Sequence, residues 1–409
     1  MTDKFERGVD STPHASRLTP HRSGRTALLV TGEASGDLHG SNLIKAAREV
    51  DPELSFSGVG GRLMEAAGCE ILIPGEELAV MGLVEVAGHF PTIYRAFNRL
   101  KGILNGERRP DVLILIDFPD FNLRLAKAAK KAHVPVLYYV SPQVWAWRRG
   151  RVKKISGVVD RLAAIFPFEP DFYKDQDIEV EYVGNPLLDE VHVSRSRADF
   201  LGGYGLDPDR PVVGLFPGSR KNELKYNFDT ILGAAELIRR QKTEVNFLLP
   251  VASSLDPEIF QARLAELTLP ITLVQENIYD AANACDAVIT VSGTVTLQTA
   301  LVGTPMAILY KMAPLTYAIG KRLVKVDHIG LANIVAGDGV VREFIQEEAT
   351  AEAVAAEILR IVDDAEYGRL IRHGLSRIRE RMGEGGCSRR VARMASEMSR
   401  GILHKEPSE

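Results

Sequence analysis

The chain has 409 residues, of which 45% are hydrophobic and 25% are charged, and its formal net charge is −4. The length allows two ordinary domains, and the composition is typical of a soluble globular protein. The low net charge excludes a globally basic nucleic-acid binder. The three cysteines are scattered and form no CxxC pair, which argues against a disulfide framework or a zinc site and indicates a reducing compartment such as the cytoplasm.

Residues 1–25 come before the first apolar run. They contain no apolar stretch like that of a secretory signal, and they mix serine, proline, histidine and arginine. The composition predicts a disordered extension, with a basic interaction tail as the alternative. No stretch of the sequence reaches the roughly 20 apolar residues that cross a bilayer.

Short apolar runs recur along the rest of the chain, bounded by turn residues or followed by helical patterns. Runs of four or five apolar residues predict strands that are covered on both faces. Amphipathic segments, such as 121–132 and 221–241, supply the crossovers between them. The sequence therefore predicts an α/β fold with two Rossmann-like, doubly wound domains that face a cleft. The predicted strands are 27–30, 112–116, 136–140, 162–166, 212–216, 245–249, 271–274, 287–291 and 306–310.

The domain boundary is predicted near residue 186. Residues 184–211 contain Asn185-Pro186, Gly202-Gly203 and two further prolines, and they lack a clear strand. We therefore expect a first domain over 26–186 and a second over 187–365. The charged helical tail, 366–409, is expected to pack back on the first domain.

Residues 31–37 (TGEASGD) follow the first predicted strand. The two glycines let the backbone approach a ligand closely, and Ser35 or Asp37 is able to cap the next helix. A tight turn between strand and helix is the alternative. The pattern is not GxGxxG, and a dehydrogenase is disfavoured for that reason.

Residues 117–122 (DFPDFN) follow the 112–116 strand. A carboxylate at the carboxyl end of a buried strand is suited to act as a general base on an acceptor hydroxyl. Asp117 is the better candidate, and Asp120 is the second. The alternative is that Asp120 caps the next helix while Asp117 bonds to backbone amides.

Both tryptophans of the chain lie in residues 139–147 (YVSPQVWAW). Aromatic faces in a proline-containing loop suit contact with a sugar or an acyl chain. Five cations follow within residues 148–154. Together these features fit single-stranded nucleic acid, a phosphate group or an anionic membrane, and the alternative is a solvated helix face.

Two loops of the second half suggest diphosphate binding. Residues 216–220 (FPGSR) offer backbone amides and the Arg220 guanidinium. Residues 292–298 (SGTVTLQ) place small residues and hydroxyls at a helix N-terminus, a ready site for phosphate. Capping alone is the alternative for each loop.

Residues 78–97 are largely apolar, and three cations, Arg95, Arg99 and Lys101, lie within or directly after their last turn. Such a segment is able to dip into a bilayer interface. A buried helix with a charged outer face explains the pattern equally well.

Taken together, these motifs resemble those of lipid-A-disaccharide synthase, a bacterial glycosyltransferase family with the two-domain GT-B fold. The resemblance runs in family order from about residue 32 to residue 344. The tryptophan block and residues 81–85 are its most specific parts, whereas the PGSR and SGT loops are shared with other UDP-sugar enzymes. The matching segments are 32–37, 79–86, 117–122, 139–148, 217–220, 292–294 and 331–337.

The resemblance implies inverting transfer of 2,3-diacylglucosamine from UDP to 2,3-diacylglucosamine 1-phosphate, which yields a β-1,6 disaccharide 1-phosphate and UDP. It implies that Asp117 is the base, that Arg220 offsets charge on the diphosphate, and that no metal or other cofactor is needed. It places substrate contacts in the first domain at Glu33, Ser35, Gly36, Asp120, Asn122, Ser141, Gln143, Trp145 and Trp147. It places UDP contacts in the second domain at Gly218, Ser219, Arg220, Ser292, Gly293, Thr294, Thr296, Gln298 and Asn333.

The acylated substrates imply a cytoplasmic protein that attaches peripherally to the inner face of the inner membrane. We therefore expect membrane contact through Leu83, Val84, Val86 and Phe90, and contact of residues 148–154 or 321–322 with anionic lipid or the acceptor phosphate. Nucleic acid is not an expected partner, and a homodimer stays open. One departure from the family pattern is Gln298, which stands where a glutamate usually holds the ribose hydroxyls.

Two other functions remain open at this stage. One is a different UDP-sugar enzyme of the same fold, such as an N-acetylglucosaminyltransferase or a UDP-N-acetylglucosamine 2-epimerase. The other is a non-catalytic UDP-sugar binding module, which Gln298 keeps open and which Asp117 and Arg220 argue against.

Overall fold

The structure is a computed structural model that describes residues 24–79, 86–107, 109–142, 149–252, 254–265, 267–314, 317 and 327–403. Within these residues the chain forms two parallel sheets, each accompanied by helices. The predicted α/β class with two doubly wound units is therefore confirmed.

The first sheet is built from strands in the first half of the described chain. Its strands are β1 (Arg25–Val30), β2 (Leu54–Gly60), β3 (Glu70–Pro74), β4 (Val112–Ile116), β5 (Val136–Tyr139), β6 (Arg161–Ala164) and β7 (Glu179–Tyr182). Their order is β3-β2-β1-β4-β5-β6-β7, and every pair is parallel. The five residues of β4 are all buried, as expected for a strand with helices on both faces.

The helices of this half connect successive strands. They are α1 (Ala34–Val50), α2 (Arg62–Ala66), α3 (Glu76–Ala79), α4 (Val86–Asn105), α5 (Pro119–Lys131), α6 (Val152–Ser156) and α7 (Leu187–Glu190), with short 3-10 turns at Arg149–Arg151 and Pro170–Phe172.

The second sheet has the order β10-β9-β8-β11-β12-β13 and is also parallel. Its strands are β8 (Val212–Phe216), β9 (Asn246–Pro250), β10 (Ile271–Val274), β11 (Ala287–Val291), β12 (Met306–Tyr310) and β13 (Glu343–Ile345). Its helices are α8 (Arg197–Gly203), α9 (Lys221–Gln241), α10 (Pro257–Leu264), α11 (Ile278–Asn283), α12 (Thr294–Val302), α13 (Leu331–Ala336), α14 (Ala351–Asp363) and α15 (Ala365–Met382), with a 3-10 turn at Gln346–Glu348.

A last helix, α16 (Cys387–Ser399), packs against the first sheet. The Cys387 thiol lies 3.3 Å from the Tyr139 hydroxyl, and the Ser396 hydroxyl donates to Asp51 at 2.6 Å. The chain thus returns to its first half after it completes the second sheet.

All nine predicted strands are present, and within the described ranges four further strands accompany them: β2, β3, β7 and β13. The strand order reverses between β1 and β4 in the first sheet and between β8 and β11 in the second. Ligands of open α/β sheets bind beyond the carboxyl ends of the strands at such reversals. The loops that follow β1, β4, β8 and β11 are four of the five loops in which the sequence predicts chemistry; the fifth, residues 139–147, follows β5.

Candidate active site

Asp117, which directly follows β4, has a left-handed backbone with φ of 48°, and Phe118 after it has φ of 49°. This conformation costs roughly 1–2 kcal/mol for each residue that is not glycine. Strained residues of this kind persist only where the surroundings hold them, and they cluster at active sites. The backbone therefore indicates a functional role for Asp117 independently of its side chain.

Two buried side chains hold this turn in place. The Asn122 amide donates to the carbonyls of Asp117 at 2.7 Å and Ile116 at 3.3 Å, and the Tyr138 hydroxyl donates to the Asp117 carbonyl at 2.6 Å. Asn122 and Tyr138 are fully buried. The Asn122 amide thus faces the loop backbone and positions Asp117, and contact of Asn122 with substrate stays a prediction.

The electrostatics of Asp117 suit a base. Burial raises the pKa of its carboxyl, the negative charge of Glu33 raises the pKa further, and a hydrogen bond from the Phe118 amide opposes them. A carboxylate with a raised pKa is a stronger proton acceptor. Glu33 itself is exposed where the chain enters α1, so the two predicted acidic groups belong to one site.

The loop after β1 packs tightly on its neighbours. A Cβ on Gly32 would overlap the Phe118 ring, and one on Gly36 would come within 2.9 Å of the Thr31 Cβ. Gly36 is buried, whereas Ser35 is exposed. Packing therefore explains the buried glycine, and Glu33 and Ser35 are the predicted contacts that remain accessible here.

Asp37 caps a helix other than its own. Its carboxylate accepts hydrogen bonds from the amides of Gly61 at 2.8 Å, Leu63 at 3.1 Å and Met64 at 3.1 Å. These amides lie at the N-terminus of α2, and no side-chain hydrogen bond caps α1. The predicted cap on α1 is therefore wrong, and the acidic end of the motif joins two elements of the fold.

Asp120 is 79% exposed and pairs with Arg151 at 2.9 Å. It does not cap α5, whose N-cap makes no side-chain hydrogen bond. Lys153 and Lys154 are exposed on α6, which buries Val152 on its other side. The described part of the basic segment is thus a solvated helix face that one ion pair joins to α5.

Ser141 lies after β5 and is 6% exposed. Its hydroxyl donates to Glu169 at 3.3 Å, and the other oxygen of Glu169 accepts the amides of Ile165 and Phe166 at 2.9 Å. This buried network joins the ends of β5 and β6. The predicted contacts Gln143, Trp145 and Trp147 lie outside the described residues.

A cavity of about 610 Å³ lies at the carboxyl ends of the second sheet. That volume is in the range of small-ligand sites. The segments after β8, β9, β10 and β11 line it. Seven of the predicted UDP contacts form part of its wall: Gly218, Ser219, Arg220, Ser292, Gly293, Thr294 and Gln298.

The loop after β8 turns at Gly218, where φ is 95°. The Glu223 carboxylate accepts the backbone amides of Ser219 at 2.9 Å and Arg220 at 3.2 Å. The Arg220 side chain is 77% exposed beside the cavity. Of the two amides predicted to face a phosphate, those of Gly218 and Ser219, the Ser219 amide therefore already bonds to a carboxylate of the protein.

The loop after β11 leads into α12. The Ser292 hydroxyl donates to the Ile329 carbonyl at 2.8 Å, and the Thr296 hydroxyl donates to the Gly293 carbonyl at 2.9 Å. Thr296 is fully buried, and its contact with UDP stays a prediction. Thr294 is exposed, and a Cβ on Gly293 would meet no atom within 4 Å, so the start of α12 is open to the cavity.

Asn333 is fully buried in α13. Its amide donates to the Val341 carbonyl and to Glu343, both at 2.8 Å, and its oxygen accepts the Val341 amide at 3.0 Å. Glu343 in turn accepts the amides of Ile329 and Gly330. Asn333 thus fixes the segment that receives the Ser292 hydroxyl, and its contact with UDP stays a prediction.

Gln298 lines the cavity from α12, and its side-chain amide donates to the Tyr279 hydroxyl at 3.2 Å. Tyr279 belongs to α11, next to the segment that follows β10. The structure therefore gives the residue that departs from the family pattern a partner of its own.

The segments around the ends of β9 and β10 also line the cavity, although they are not among the predicted contacts. They contribute Pro250, Val251, Ala252, Leu255, Gln275, Glu276 and Ile278. Most of these residues are apolar and carry no recognisable motif. The signal that could have found them is their position directly after the predicted strands 245–249 and 271–274.

The predicted membrane contacts are only partly described. Leu83 and Val84 lie outside the described residues, and Val86 and Phe90 belong to the first turns of α4. Farther along α4, Ala96, Leu100 and Leu104 are buried, whereas Tyr94 is 58% exposed. Within the part of the chain that the structure describes, none of the helices has the length and apolarity to span a bilayer.

A family model described as lipid-A-disaccharide synthetase matches residues 27–397, a range that includes both sheets and most of α16. The lipid-A-disaccharide synthase of Syntrophotalea carbinolica is 67% identical over 382 residues, which cover 93% of this chain and 97% of that protein. The chain belongs to the lipid-A-disaccharide synthase family.

Solved structures agree with the fold expected of a lipid-A-disaccharide synthase family member. MurG of Acinetobacter baumannii superimposes with a TM-score of 0.57 at 14% identity, over 91% of this chain and 99% of that chain. A UDP-GlcNAc 2-epimerase from Neisseria meningitidis, bound to UDP-GlcNAc, gives a TM-score of 0.60 at 12% identity, over 91% and 100%. These likenesses confirm the GT-B fold.

Proposed function

We propose that this protein transfers 2,3-diacylglucosamine from UDP to 2,3-diacylglucosamine 1-phosphate with inversion, forming a β-1,6 disaccharide 1-phosphate and UDP. The observation that carries the proposal is Asp117, which combines a strained backbone, two buried supports and a raised pKa. Family membership over residues 27–397 supplies the reaction in which this carboxylate acts.

The proposed chemistry needs one base. The acceptor 6-hydroxyl attacks the anomeric carbon from the face opposite UDP while its proton moves to the Asp117 carboxylate. The bond between the anomeric carbon and the diphosphate oxygen breaks, and its electron pair leaves with UDP. Because UDP is a good leaving group, a second carboxylate that acts as general acid, as in glycosidases, is not required.

We assign UDP to the cavity of the second sheet. The start of α12 presents backbone amides and a favourable helix dipole to the diphosphate, and Arg220 adds a positive charge. Both would stabilise the negative charge that grows on the leaving group. In this proposal Gln298, which lines the cavity, bonds a ribose hydroxyl, and the apolar wall from Pro250 to Leu255 holds the pyrimidine ring.

We also propose peripheral attachment to the inner face of the inner membrane. The exposed cations Arg95, Arg99 and Lys101 on α4 favour an anionic surface, and Leu83, Val84, Val86 and Phe90 would supply the apolar contact. Flotation with anionic vesicles tests this proposal. Changing Val84, Val86 and Phe90 to serine should abolish flotation of a folded protein, and unchanged flotation would count against it.

Acceptor-dependent release of UDP tests the reaction. Purified protein is supplied with UDP-2,3-diacylglucosamine and 2,3-diacylglucosamine 1-phosphate in detergent, beside an Asp117→Asn variant. We expect release to fall by roughly 10²- to 10⁴-fold in the variant, with UDP binding retained. Absence of release from the folded, UDP-binding protein would favour another UDP-sugar enzyme or a binding module.

A further inference from the structure

The carboxylate of Glu223 occupies the anion position of the loop after β8. One of its oxygens accepts the amides of Ser219 and Arg220, and the Arg220 guanidinium lies 3.4 Å from the other oxygen. A Cβ on Gly218 would overlap this carboxylate, so the turn closes directly over it. Three donors of one loop therefore surround a negative charge that the protein supplies itself.

Glu223 also lines the cavity at the carboxyl ends of the second sheet, to which we assign UDP, and its side chain is 22% exposed. A diphosphate in this cavity would draw on the same donors, since amides at the start of a helix and an arginine are what phosphate oxygens bind. The carboxylate and a diphosphate oxygen carry charge of the same sign, so they are not expected to share the two amides. The Ser219 and Arg220 amides therefore bind either the Glu223 carboxylate or a diphosphate oxygen, but not both at once.

We propose that Glu223 is an internal competitor of the donor diphosphate. Before the donor binds, the carboxylate holds the loop in its anion-binding form. On binding, the diphosphate takes the Ser219 and Arg220 amides and Glu223 turns aside; after transfer, Glu223 regains the amides and favours release of UDP. This inference rests on the proposed placement of UDP in the cavity.

The competition has a measurable cost for affinity. A ligand that binds only when the amides are free has its apparent affinity reduced by the fraction of time for which they are free. Glu223→Gln keeps an oxygen that accepts the same amides, so the loop shape is retained, but the charge is removed. Neutral hydrogen bonds are about half as strong as charge-assisted ones, so the diphosphate displaces the glutamine more easily.

Calorimetric titration of the full-length protein with UDP tests the proposal. We expect Glu223→Gln to bind UDP roughly fivefold more tightly than the unchanged protein. The inhibition constant of UDP as a product should fall by a similar factor. Melting temperatures are measured beside the titrations to show that the variant is folded.

Asp364→Asn is the matched control. The Asp364 carboxylate likewise accepts two backbone amides at the start of a long helix, those of Glu366 and Tyr367 at 3.0 Å, but it lies outside the cavity lining. Its UDP affinity should be unchanged. Tighter binding by Glu223→Gln alone supports the competitor. Equal or weaker binding by a folded Glu223→Gln overturns it, whereas failure of the unchanged protein to bind UDP overturns the proposed function and this inference with it.

Discussion

The Asn122 side-chain amide donates a hydrogen bond of 2.7 Å to the Asp117 carbonyl and so holds the backbone of the proposed base in place. Asn122→Ala removes this hydrogen bond and the one to Ile116, and leaves buried carbonyls with fewer donors. We expect the free energy of unfolding to fall by about 1–3 kcal/mol and kcat to fall with it, because the strained turn relaxes. Urea unfolding and UDP release measure the two effects.

Asn105→Ala is the matched control for this change. The Asn105 amide also donates to a backbone carbonyl, that of Lys101 at 2.7 Å, but it is exposed at the end of α4. Both measurements should stay near those of the unchanged protein. Similar losses in the two variants would remove Asn122 as a specific support.

Glu33→Gln should change the pH dependence of the reaction. The charge of Glu33 contributes to the raised pKa of Asp117, so its removal lowers that pKa. The base then stays ionised at lower pH, and the acidic limb of the kcat/KM profile should move to lower pH. Glu49→Gln, an exposed position on the same helix, should leave the limb in place. An unmoved limb in Glu33→Gln would show that the two carboxylates do not interact.

Gln298→Glu should strengthen UDP binding. A carboxylate at this position accepts charge-assisted hydrogen bonds from ribose hydroxyls, and the Tyr279 hydroxyl, now 3.2 Å from the Gln298 amide, would become a donor to it. We expect the Kd for UDP to fall by roughly three- to tenfold. Gln261→Glu on α10 serves as the control at an exposed glutamine. Weaker binding would mean that this chain holds the ribose by another route.

His39 should make the protein sensitive to mild acid. Burial lowers the pKa of His39 to about 4 from 6.5, and its Nδ1 lies 3.7 Å from a Glu190 oxygen. As pH falls from 6.5 towards 4, His39 becomes protonated in the unfolded chain but stays neutral in the folded chain. Stability contributed by neutral His39 is therefore lost over this window, by about 2 kcal/mol between pH 7 and pH 5.

His39→Gln should remove the part of the pH dependence that His39 causes. The measurement is the free energy of unfolding in urea of both proteins, at pH 7 and at pH 5. The comparison between proteins matters because Glu190, whose pKa burial raises, acts in the opposite direction. An identical pH dependence in the two proteins would exclude His39 as its source.

Replacement of Arg161 should destabilise the first half of the protein. Its side chain is 1% exposed and pairs with Glu179 at 2.8 Å, Glu181 at 3.4 Å and Glu397 of α16 at 2.7 Å. Arg161→Leu removes a buried cation that three carboxylates share, and we expect roughly 3 kcal/mol of destabilisation. Arg240→Leu on α9, where the arginine is 72% exposed, should change stability by about 0.5 kcal/mol or less. Equal effects in denaturant melts would contradict a buried anchor.

Eight of the nine predicted strands lie inside their sheets, where burial on both faces gives a continuous apolar run. The ninth, β10, is a half-buried edge strand that carries such a run as well. The strands without a prediction carry weaker patterns. In β2, Ser55 and Ser57 alternate with buried apolar residues, and β7 is an edge strand whose four residues, including Glu179 and Glu181, are all half-buried. The strand β13 has three residues, and it is recognised as a strand by its pairing with β12. Pairing at a sheet edge depends on tertiary context that a local pattern does not contain.

The motifs predict which loops carry polar side chains, but they do not predict which of those side chains are buried. Asp117 and Arg220 lie at the carboxyl ends of β4 and β8, as predicted. Asn122, Thr296 and Asn333 also belong to the motifs that match the family, but they are buried and bonded to backbone. A motif shows which residue types occur together in a loop. It does not show whether a given side chain points towards the ligand or towards the backbone of the loop. Burial decides between the two, and burial follows from the fold.

The packing of α16 on α1 and the first sheet bears on the order in which the protein is completed. Residues 387–399 leave the ribosome only after the entire second sheet has emerged, so the second half can close its core while the first half still lacks the helix that covers Tyr139 and Asp51. The half that is synthesised first is thus finished last. A nascent chain stalled before α16 would present an exposed apolar face on the half that carries Asp117, and chaperones would be expected to engage that face first.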